Sequence, residues 1–330
     1  MLTAIIPIDL SRRPNDLIKK AVFLAKMAQK NNIHSIFGHS DSNTKYDKKL
    51  LKELSAFPLV KVNSEKKTSR NINAAALRNL AFKSVKTDYI VLLDVDIYPD
   101  FDILIKYMNR LSTSERPFYI LPCLYLTKHG TKLLNKNRVN LNVLKARFFS
   151  FSRKEFLHLA SPSSVTILKT QDYKSINGFD ESYCGHGYED FDFLVRLYDL
   201  HKLIDKPHDF LQDLSARSPL FSIGFRRYLG ESCLETLLEK DMVFHLYHEK
   251  EHHEDYYLAR KENYIKFKIT HQDKVGESNY EDATLLTPFI SLCTEKCLNI
   301  HDYAVLFDNK PGHIDRFDTI KRRIKFLLNK

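Results

Sequence analysis

Apolar residues first gather at positions 2–8, LTAIIPI, a β-branched run closed by Pro7 and Asp9 that predicts a buried first strand. Leu17, Ile18, Ala21, Val22, Leu24, Ala25 and Ala28 then recur at helical spacing, so a helix over 15–30 is expected, with Asn15 or Asp16 near its cap. IHSIFG at 33–38 reads as a second strand, 47–55 as a polar helix, and LVKVN at 59–63 as a third strand. An alanine-rich helix at 71–85 leads to YIVLLDVD at 89–96, the most strand-like run of the chain. Strands alternating with helices predict an α/β fold with a mostly parallel central sheet and flanking helices. In such sheets ligands bind beyond the carboxyl ends of the strands.

The pattern loosens further on. FYILPCLYL at 118–126 and SVTIL at 164–168 read as strands, and the Lys- and Asn-rich KHGTKLLNKNRVN between them as a loop or insertion. The glycine cluster INGFDESYCGHGYED at 176–190 precedes a helix expected at about 189–201, with Phe193, Leu194, Leu197 and Leu200 on one face. Residues 209–240 read as a helical insertion, and MVFHLYH at 242–248 as a returning strand. The expected organisation is one α/β domain over 1–255, followed by a charged helical extension over 256–330.

Composition narrows the partners. With 43% hydrophobic and 28% charged residues among 330, the chain has material for a core, and wholesale disorder is excluded. A formal net charge of +10 favours an anionic partner: nucleic acid, a membrane surface or a phosphorylated small molecule. Five cysteines with no C-x-x-C pair argue against a disulfide framework or a structural zinc site. The first residues lack a basic n-region, and no apolar run approaches the roughly 18 residues needed to span a bilayer. A cytoplasmic protein is expected, peripheral at most on the inner face of the membrane.

Four features carry chemistry. Asp94 and Asp96 end the 89–96 strand, where a turn lets both carboxylates approach one hard cation such as Mg²⁺ or Mn²⁺; solvated acids at a strand end are the alternative. Glu189 and Asp190 open a helix behind Gly185 and Gly187; the helix dipole alone favours acids there, but the glycines also permit close approach of a ligand, and a carboxylate there can act as a general base. His245 and His248 supply imidazoles near a strand end, in a region that also holds His252 and His253. Arg12, Arg13 and Arg78 offer planar forks that match phosphate, or are simply solvated surface.

In this order the features resemble the GT-A-fold glycosyltransferases. The similarity is to inverting, nucleotide-sugar-dependent enzymes of bacterial capsule and lipopolysaccharide synthesis and to the animal β-1,4-galactosyltransferases. IIPIDLSRRPNDL, AALRNLAFKSVKTDYIVLLDVDIYPD, INGFDESYCGHGYEDFDFLVRL and VFHLYHEKEH carry the resemblance, over roughly 3–255. It implies that Pro7, Arg12 and Arg13 line a nucleotide pocket, with Asp41 near the uracil. Arg78 would approach the diphosphate or donor sugar, and Asp94 the ribose or donor. Asp96 would bind the metal, with Asp94 beside it, His248 as the distal ligand and His245 as a second. Asp190 would be the base, Glu189 would hold a donor or acceptor hydroxyl, and Gly187 would border the sugar floor. The chain departs from the family pattern at His186, where Trp is usual, at Tyr188 and Asn177, where Gly is usual, and at Leu80.

The implied activity is metal-dependent inverting transfer, with Mn²⁺ or Mg²⁺ as cofactor, from a UDP-sugar to a glycan or lipid-linked saccharide. A retaining transferase, or a metal-dependent nucleotidyltransferase or hydrolase on a similar sheet, is the alternative. Nucleic-acid binding is disfavoured, because the aromatics are not interleaved with Lys and Arg and the acids would repel a phosphate backbone. The tail DRFDTIKRRIKFLLNK sets Phe317, Ile320, Ile324, Phe326, Leu327 and Leu328 among Lys321, Arg322, Arg323 and Lys325. This is a basic amphipathic helix that either lies on an anionic membrane or docks on the domain.

Overall fold

Leu2–Asp9 forms the first strand, β1, at the centre of a six-stranded sheet. Ala4, Ile5 and Ile6 are fully buried, as a strand covered on both faces requires. The other strands are β2 (His34–Asp41), β3 (Val60–Lys66), β4 (Tyr89–Leu92), β5 (Phe118–Ile120) and β6 (Thr166–Lys169), in the order β3-β2-β1-β4-β6-β5. All run parallel except β6, which is antiparallel to both β4 and β5. Ile5 pairs with Ile36 on one side and Leu92 on the other, and the Leu93 amide donates to the Ile5 carbonyl at 3.0 Å. Asp94 and Asp96 therefore leave the sheet beside the carboxyl half of β1. Both lie in the turn after β4 rather than inside a strand, and the Ile97 amide closes that turn on the Asp94 carbonyl at 3.0 Å.

The helices of this unit are α1 (Pro14–Lys30), α2 (Lys45–Leu54), α3 (Ala74–Phe82), α4 (Phe101–Thr113), α5 (Thr170–Ser175), α6 (Glu189–Leu200) and α7 (Glu254–His271). Thr44 and Asp47 cap α2 as a reciprocal box, and the Asn73 side chain caps α3 through the Ala76 amide at 2.9 Å. A Cβ at Gly38 of β2 would fall 1.7 Å from the Leu77 carbonyl oxygen, so this glycine lets α3 lie directly against the sheet.

The computed structural model describes residues 1–67, 71–249, 254–276, 284–310, 314, 317 and 319–328, with the backbone alone for 254–258, 274 and 325–326. His252, His253 and the Lys325 and Phe326 side chains thus lie outside the described residues. The chain divides into two units: Met1–Ile120, Ser164–Ile204 and Lys250–Asp273 carry the large sheet, and Leu121–Ser163, Asp205–Glu249 and Lys274–Lys330 form the second. The helix α7 belongs to the first unit, whereas the sequence reading began the extension at 256.

The second unit holds a three-stranded sheet in which Cys123–Leu126 lies between Val243–His245, parallel to it, and Phe156–Ala160, antiparallel. The expected strand at 118–126 is thus two strands, interrupted at Leu121 and Pro122. Proline has no amide to donate, but its carbonyl still accepts from Val243 at 2.9 Å. The stretch read as a loop contains a helix, Lys128–Asn135, capped by the Thr127 hydroxyl on the Gly130 amide at 3.1 Å and anchored by buried Leu134. The insertion at 209–240 is helical at Phe225–Gly230 and Leu234–Leu238, but it also pairs Asp213–Leu214 with Ile223–Gly224. All five cysteines are free thiols. Among the described residues no helix is long and apolar enough to cross a membrane.

Candidate active site

Arg78 projects from α3 and is only 2% exposed. Its guanidinium meets the Asp94 carboxylate at 2.8 Å and the Asp190 carboxylate at 3.0 Å, and lies over the Phe179 ring at 4.9 Å. Burial by itself would lower its pKa; Asp190, Asp94 and Glu189 outweigh that, so the group is held charged. The Arg78 Nε is buried and has no hydrogen-bond partner among the described residues. Asp94 also accepts from the Ser164 hydroxyl at 3.1 Å.

Glu189 and Asp190 begin α6, whose cap residue Tyr188 has φ of 74°. Burial, followed by the neighbouring Asp190 charge, pushes the Glu189 pKa up to about 8 against the opposing pull of Arg78. Asp190 is raised as well, by burial and by Asp94, with Arg78 again opposing. The Glu189 Oε2 is buried and has no hydrogen-bond partner among the described residues, whereas the Asp190 side chain keeps 30% of its surface exposed. Burial thus favours the protonated form of Glu189, able to donate, beside the more accessible Asp190, whose ionised form can accept a proton.

Asp96 faces other cations. Its two oxygens meet Lys20 Nζ at 2.6 Å and the Arg13 guanidinium at 2.9 Å. Asp16 binds the same two side chains from the far side, at 3.0 Å and 2.8 Å. Arg13, at φ 47°, is the left-handed cap of α1. The two acids of the D-x-D turn therefore serve different partners. The position of Asp96 selects positive charge, and a carboxylate there suits a divalent ion as well as an ammonium.

The glycine cluster is held by asparagines. Asn79 accepts from the Tyr173 hydroxyl at 2.7 Å and the Phe179 amide at 2.9 Å, and donates to the Phe179 carbonyl at 2.9 Å. A Cβ on Gly178, at φ 65°, would strike the Asn79 side chain at 2.4 Å. Asn177 adopts φ 56°, a region asparagine tolerates better than most residues. Asn263 of α7 donates to the Cys184 and Gly187 carbonyls, both at 3.0 Å, so it fixes the loop that carries His186 and Gly187. Asp192 of α6 ties Arg196 at 2.8 Å and His271 of α7 at 3.0 Å.

Among the remaining residues implied by the resemblance, Pro7 and Arg12 are half-buried in and just after β1, and Asp41 ends β2, where it accepts from the Asn43 amide at 2.7 Å. Asp9, which sequence reasoning used only as a strand terminator, is buried and paired to Lys67 at 3.0 Å. Burial opposes its ionisation, but hydrogen bonds from Ser11 and the charge of Lys67 bring its pKa below the usual value. Within the second unit, His245 stacks on Tyr125 at 4.2 Å, and Tyr125 on His158 at 4.1 Å. Ring nitrogens of His245 and His248 lie within 4.8 Å of each other, a pair whose donors suit Mn²⁺ or a similar ion. Lys20, Asp16, Ser164, Lys67 and Asn263 were missed by the sequence reading; the only signal for the first two was their i, i+4 spacing on a helix.

The mostly parallel sheet, with acids and arginines beyond the carboxyl ends of its strands, agrees with the α/β fold of the GT-A glycosyltransferases that the sequence resembles. Residues 3–270 match the family model described as glycosyltransferase like family 2, and the chain belongs to this family. No curated protein matches the sequence. Among solved structures, S. aureus TarS 1-349 is 15% identical over 60% of this chain and 55% of its own, with a TM-score of 0.41. The catalytic domain of Drosophila β1,4-galactosyltransferase 7 in complex with xylobiose is 19% identical over 61% of each chain, with a TM-score of 0.32. Glucosyl-3-phosphoglycerate synthase from Mycobacterium tuberculosis is 11% identical over 61% of this chain and 66% of its own, with a TM-score of 0.34. TarS has also been solved with UDP-GlcNAc, and a mutant of the Drosophila enzyme with manganese, UDP-Gal and xylobiose. The chain spans little more than half the length of the first two solved proteins.

Proposed function

We propose that the chain is an inverting, metal-dependent glycosyltransferase. It would move a sugar from a UDP-sugar to a glycan or lipid-linked acceptor in bacterial surface polysaccharide synthesis, of capsule or lipopolysaccharide. Family membership supports the class of reaction, and the sequence resemblance supports donor and stereochemistry. The observation that carries the reading is the buried Arg78 holding Asp94 and Asp190 at 2.8 and 3.0 Å, beside a Glu189 kept neutral by burial.

Asp190 is the base: the acceptor hydroxyl gives its proton to a carboxylate oxygen as it attacks the anomeric carbon from the face opposite the leaving group. Glu189, protonated near pH 7, donates a hydrogen bond to a sugar hydroxyl. Arg78 keeps Asp94 turned toward the ribose or donor sugar. Arg12 and Arg13 meet the diphosphate, Pro7 and Asp41 line the base pocket, and Gly187 borders the sugar. A divalent cation, Mn²⁺ or Mg²⁺, with Asp94, Asp96, His245 and His248 as its proposed donors, supplies charge neutralisation on the leaving diphosphate.

Asp190→Asn tests the assignment. Transfer should fall by at least about a thousandfold, while UDP binding by calorimetry stays within about threefold of wild type. Transfer at near wild-type rate by Asp190→Asn would remove Asp190 from the mechanism.

Peripheral attachment to the inner face of the cytoplasmic membrane completes the reading. In the helix Ile320–Leu328, Ile320, Ile324, Leu327 and Leu328 are 74%, 52%, 71% and 79% exposed, beside Lys321, Arg322 and Arg323. An apolar stripe flanked by cations suits anionic lipid. Flotation with phosphatidylglycerol vesicles should carry the full chain, and a chain ending at residue 319 should stay behind. Equal flotation of both forms would refute the attachment.

A further inference from the structure

Lys20 stands outside every motif that brings the family to mind, yet it makes the closest ion pair of the Asp96 cluster, at 2.6 Å. Its side chain is 11% exposed and Asp96 is 10% exposed, so this is not a solvated surface pair. With Arg13 and Asp16 the two form a ring in which each carboxylate touches both cations, at 2.6 and 2.9 Å for Asp96 and at 3.0 and 2.8 Å for Asp16. Two acids and two cations cancel, and the ring is neutral as it stands. A divalent cation on Asp96 would compete with Lys20 and Arg13 for the same two carboxylate oxygens, through charge repulsion as much as through lone pairs, and it adds two positive charges to these four side chains. Asp16, 45% exposed, remains as the carboxylate to which both displaced side chains are already bonded. The added positive charge then favours an incoming anion, and a diphosphate is such an anion.

We propose that Lys20 is a donor-binding cation that competes with the metal for Asp96, and that it turns to the donor diphosphate once the metal is bound, so that metal and nucleotide reinforce each other. The proposal rests on the reading of Asp96 as a metal ligand. It extends that reading to a helix position with no assigned role, and predicts the order of binding: metal alone is held weakly, and metal with a nucleoside diphosphate tightly.

Electron paramagnetic resonance of free Mn²⁺, read with and without UDP against protein-free Mn²⁺–UDP mixtures that account for chelation by the nucleotide, measures the binding and needs no turnover. Lys20→Met should bind Mn²⁺ at least about fivefold more tightly than wild type without nucleotide, and should lose most of the gain that UDP gives wild type, a gain on the order of tenfold or more. Asp16→Asn, at an exposed position, should act in the opposite sense: with no second carboxylate to hold them, Lys20 and Arg13 grip Asp96 harder and Mn²⁺ binding weakens several-fold. Lys20→Arg, which keeps the charge, should retain the UDP effect. Thermal melts establish that each variant is folded. If wild type binds Mn²⁺ but Lys20→Met binds it no tighter and responds to UDP as wild type does, the role of Lys20 is refuted while the metal reading stands. If wild type binds no Mn²⁺ at all, with or without UDP, both fall.

Discussion

Arg78→Met removes the buried guanidinium that faces Asp94, Asp190 and Glu189, and its cost follows from the geometry. A pair of unit charges about 4 Å apart is worth roughly 4 kcal/mol at an effective dielectric near 20, and the two pairs here are shorter, at 2.8 and 3.0 Å. Burying the guanidinium cancels much of that gross attraction. Measured losses on removing one member of a buried pair are therefore about 3–5 kcal/mol. Asp94 and Asp190 keep 34% and 30% of their side-chain surface in water, which takes over part of the compensation, so the expected loss is about 2–4 kcal/mol at pH 8. Its pH dependence is the sharper signature. Without Arg78 the acids repel one another, and the already raised folded-state pKa values of Glu189 and Asp190 rise further above the unfolded ones. The folded variant then holds more protons than its unfolded chain across that window, so its stability falls as pH rises. The gap to wild type should accordingly be largest at pH 8 and shrink by at least about 1 kcal/mol at pH 5. Urea denaturation of both proteins at pH 5, 6.5 and 8, followed by circular dichroism, reads this directly. A loss below about 1 kcal/mol at pH 8, or one that does not change with pH, would falsify the view that Arg78 compensates these acids.

Glu189→Gln removes a carboxyl whose pKa is pushed up to about 8 in the folded chain. Because the native state then binds the extra proton between the ordinary glutamate value and about 8, wild-type stability should decline over that range, and the variant should show a flatter profile in urea melts, gaining on wild type by a few kcal/mol at most at pH 9. Gly38→Ala drives a methyl to 1.7 Å from the Leu77 carbonyl oxygen, a main-chain clash that no rotamer relieves; a loss of at least about 2 kcal/mol is expected in thermal or urea melts, together with weaker UDP binding as α3 and Arg78 shift. Asn263→Ala strips the clamp from the Cys184 and Gly187 carbonyls, so amide exchange at 185–190 should quicken by at least tenfold and stability fall by about 1–2 kcal/mol.

The sheet was readable because a strand buried on both faces must be written as a continuous apolar run, and LTAIIPI and YIVLL are such runs. The helix at Lys128–Asn135 was not, because its Gly130 and scattered lysines look like a loop. What admits it is tertiary: a Cβ at Gly130 would fall 2.5 Å from the Glu155 carbonyl oxygen, so the glycine serves a close backbone approach rather than a turn. Motif spacing located Asp94 and Asp96 at a strand end, Glu189 and Asp190 at a helix start and Arg78 within the helix before the D-x-D strand, where the structure has them. Spacing could not say which cation each acid meets, since that depends on side chains from α1 and α3, far away in the sequence. Lys20 and Asn263 were invisible for the same reason: a lysine on an amphipathic helix and an asparagine in a charged one carry no local signal of what they face.

The division of the D-x-D turn gives the proposed reaction its spatial logic. Asp94 is drawn to Arg78 and so to Asp190 and Glu189, a group in which carboxylates outnumber the cation and the proton affinities of Glu189 and Asp190 are raised. Asp96, two residues on, is drawn instead into a ring with Lys20 and Arg13, where cations and acids balance and a further cation calls for an anion. A transferase of this class must do two opposite things within a few ångströms: take a proton from an acceptor hydroxyl and neutralise a leaving diphosphate. One environment cannot serve both, because added positive charge lowers the basicity of a carboxylate. By sending the two acids of one turn to different helices, the fold keeps the proposed base in an acid-rich setting and the cations proposed to meet the diphosphate in a separate one. On this view Asp94→Asn should perturb the pH profile of transfer more than the affinity for UDP, and Asp96→Asn the reverse; equal effects of both variants on both quantities would show that the turn does not divide the labour.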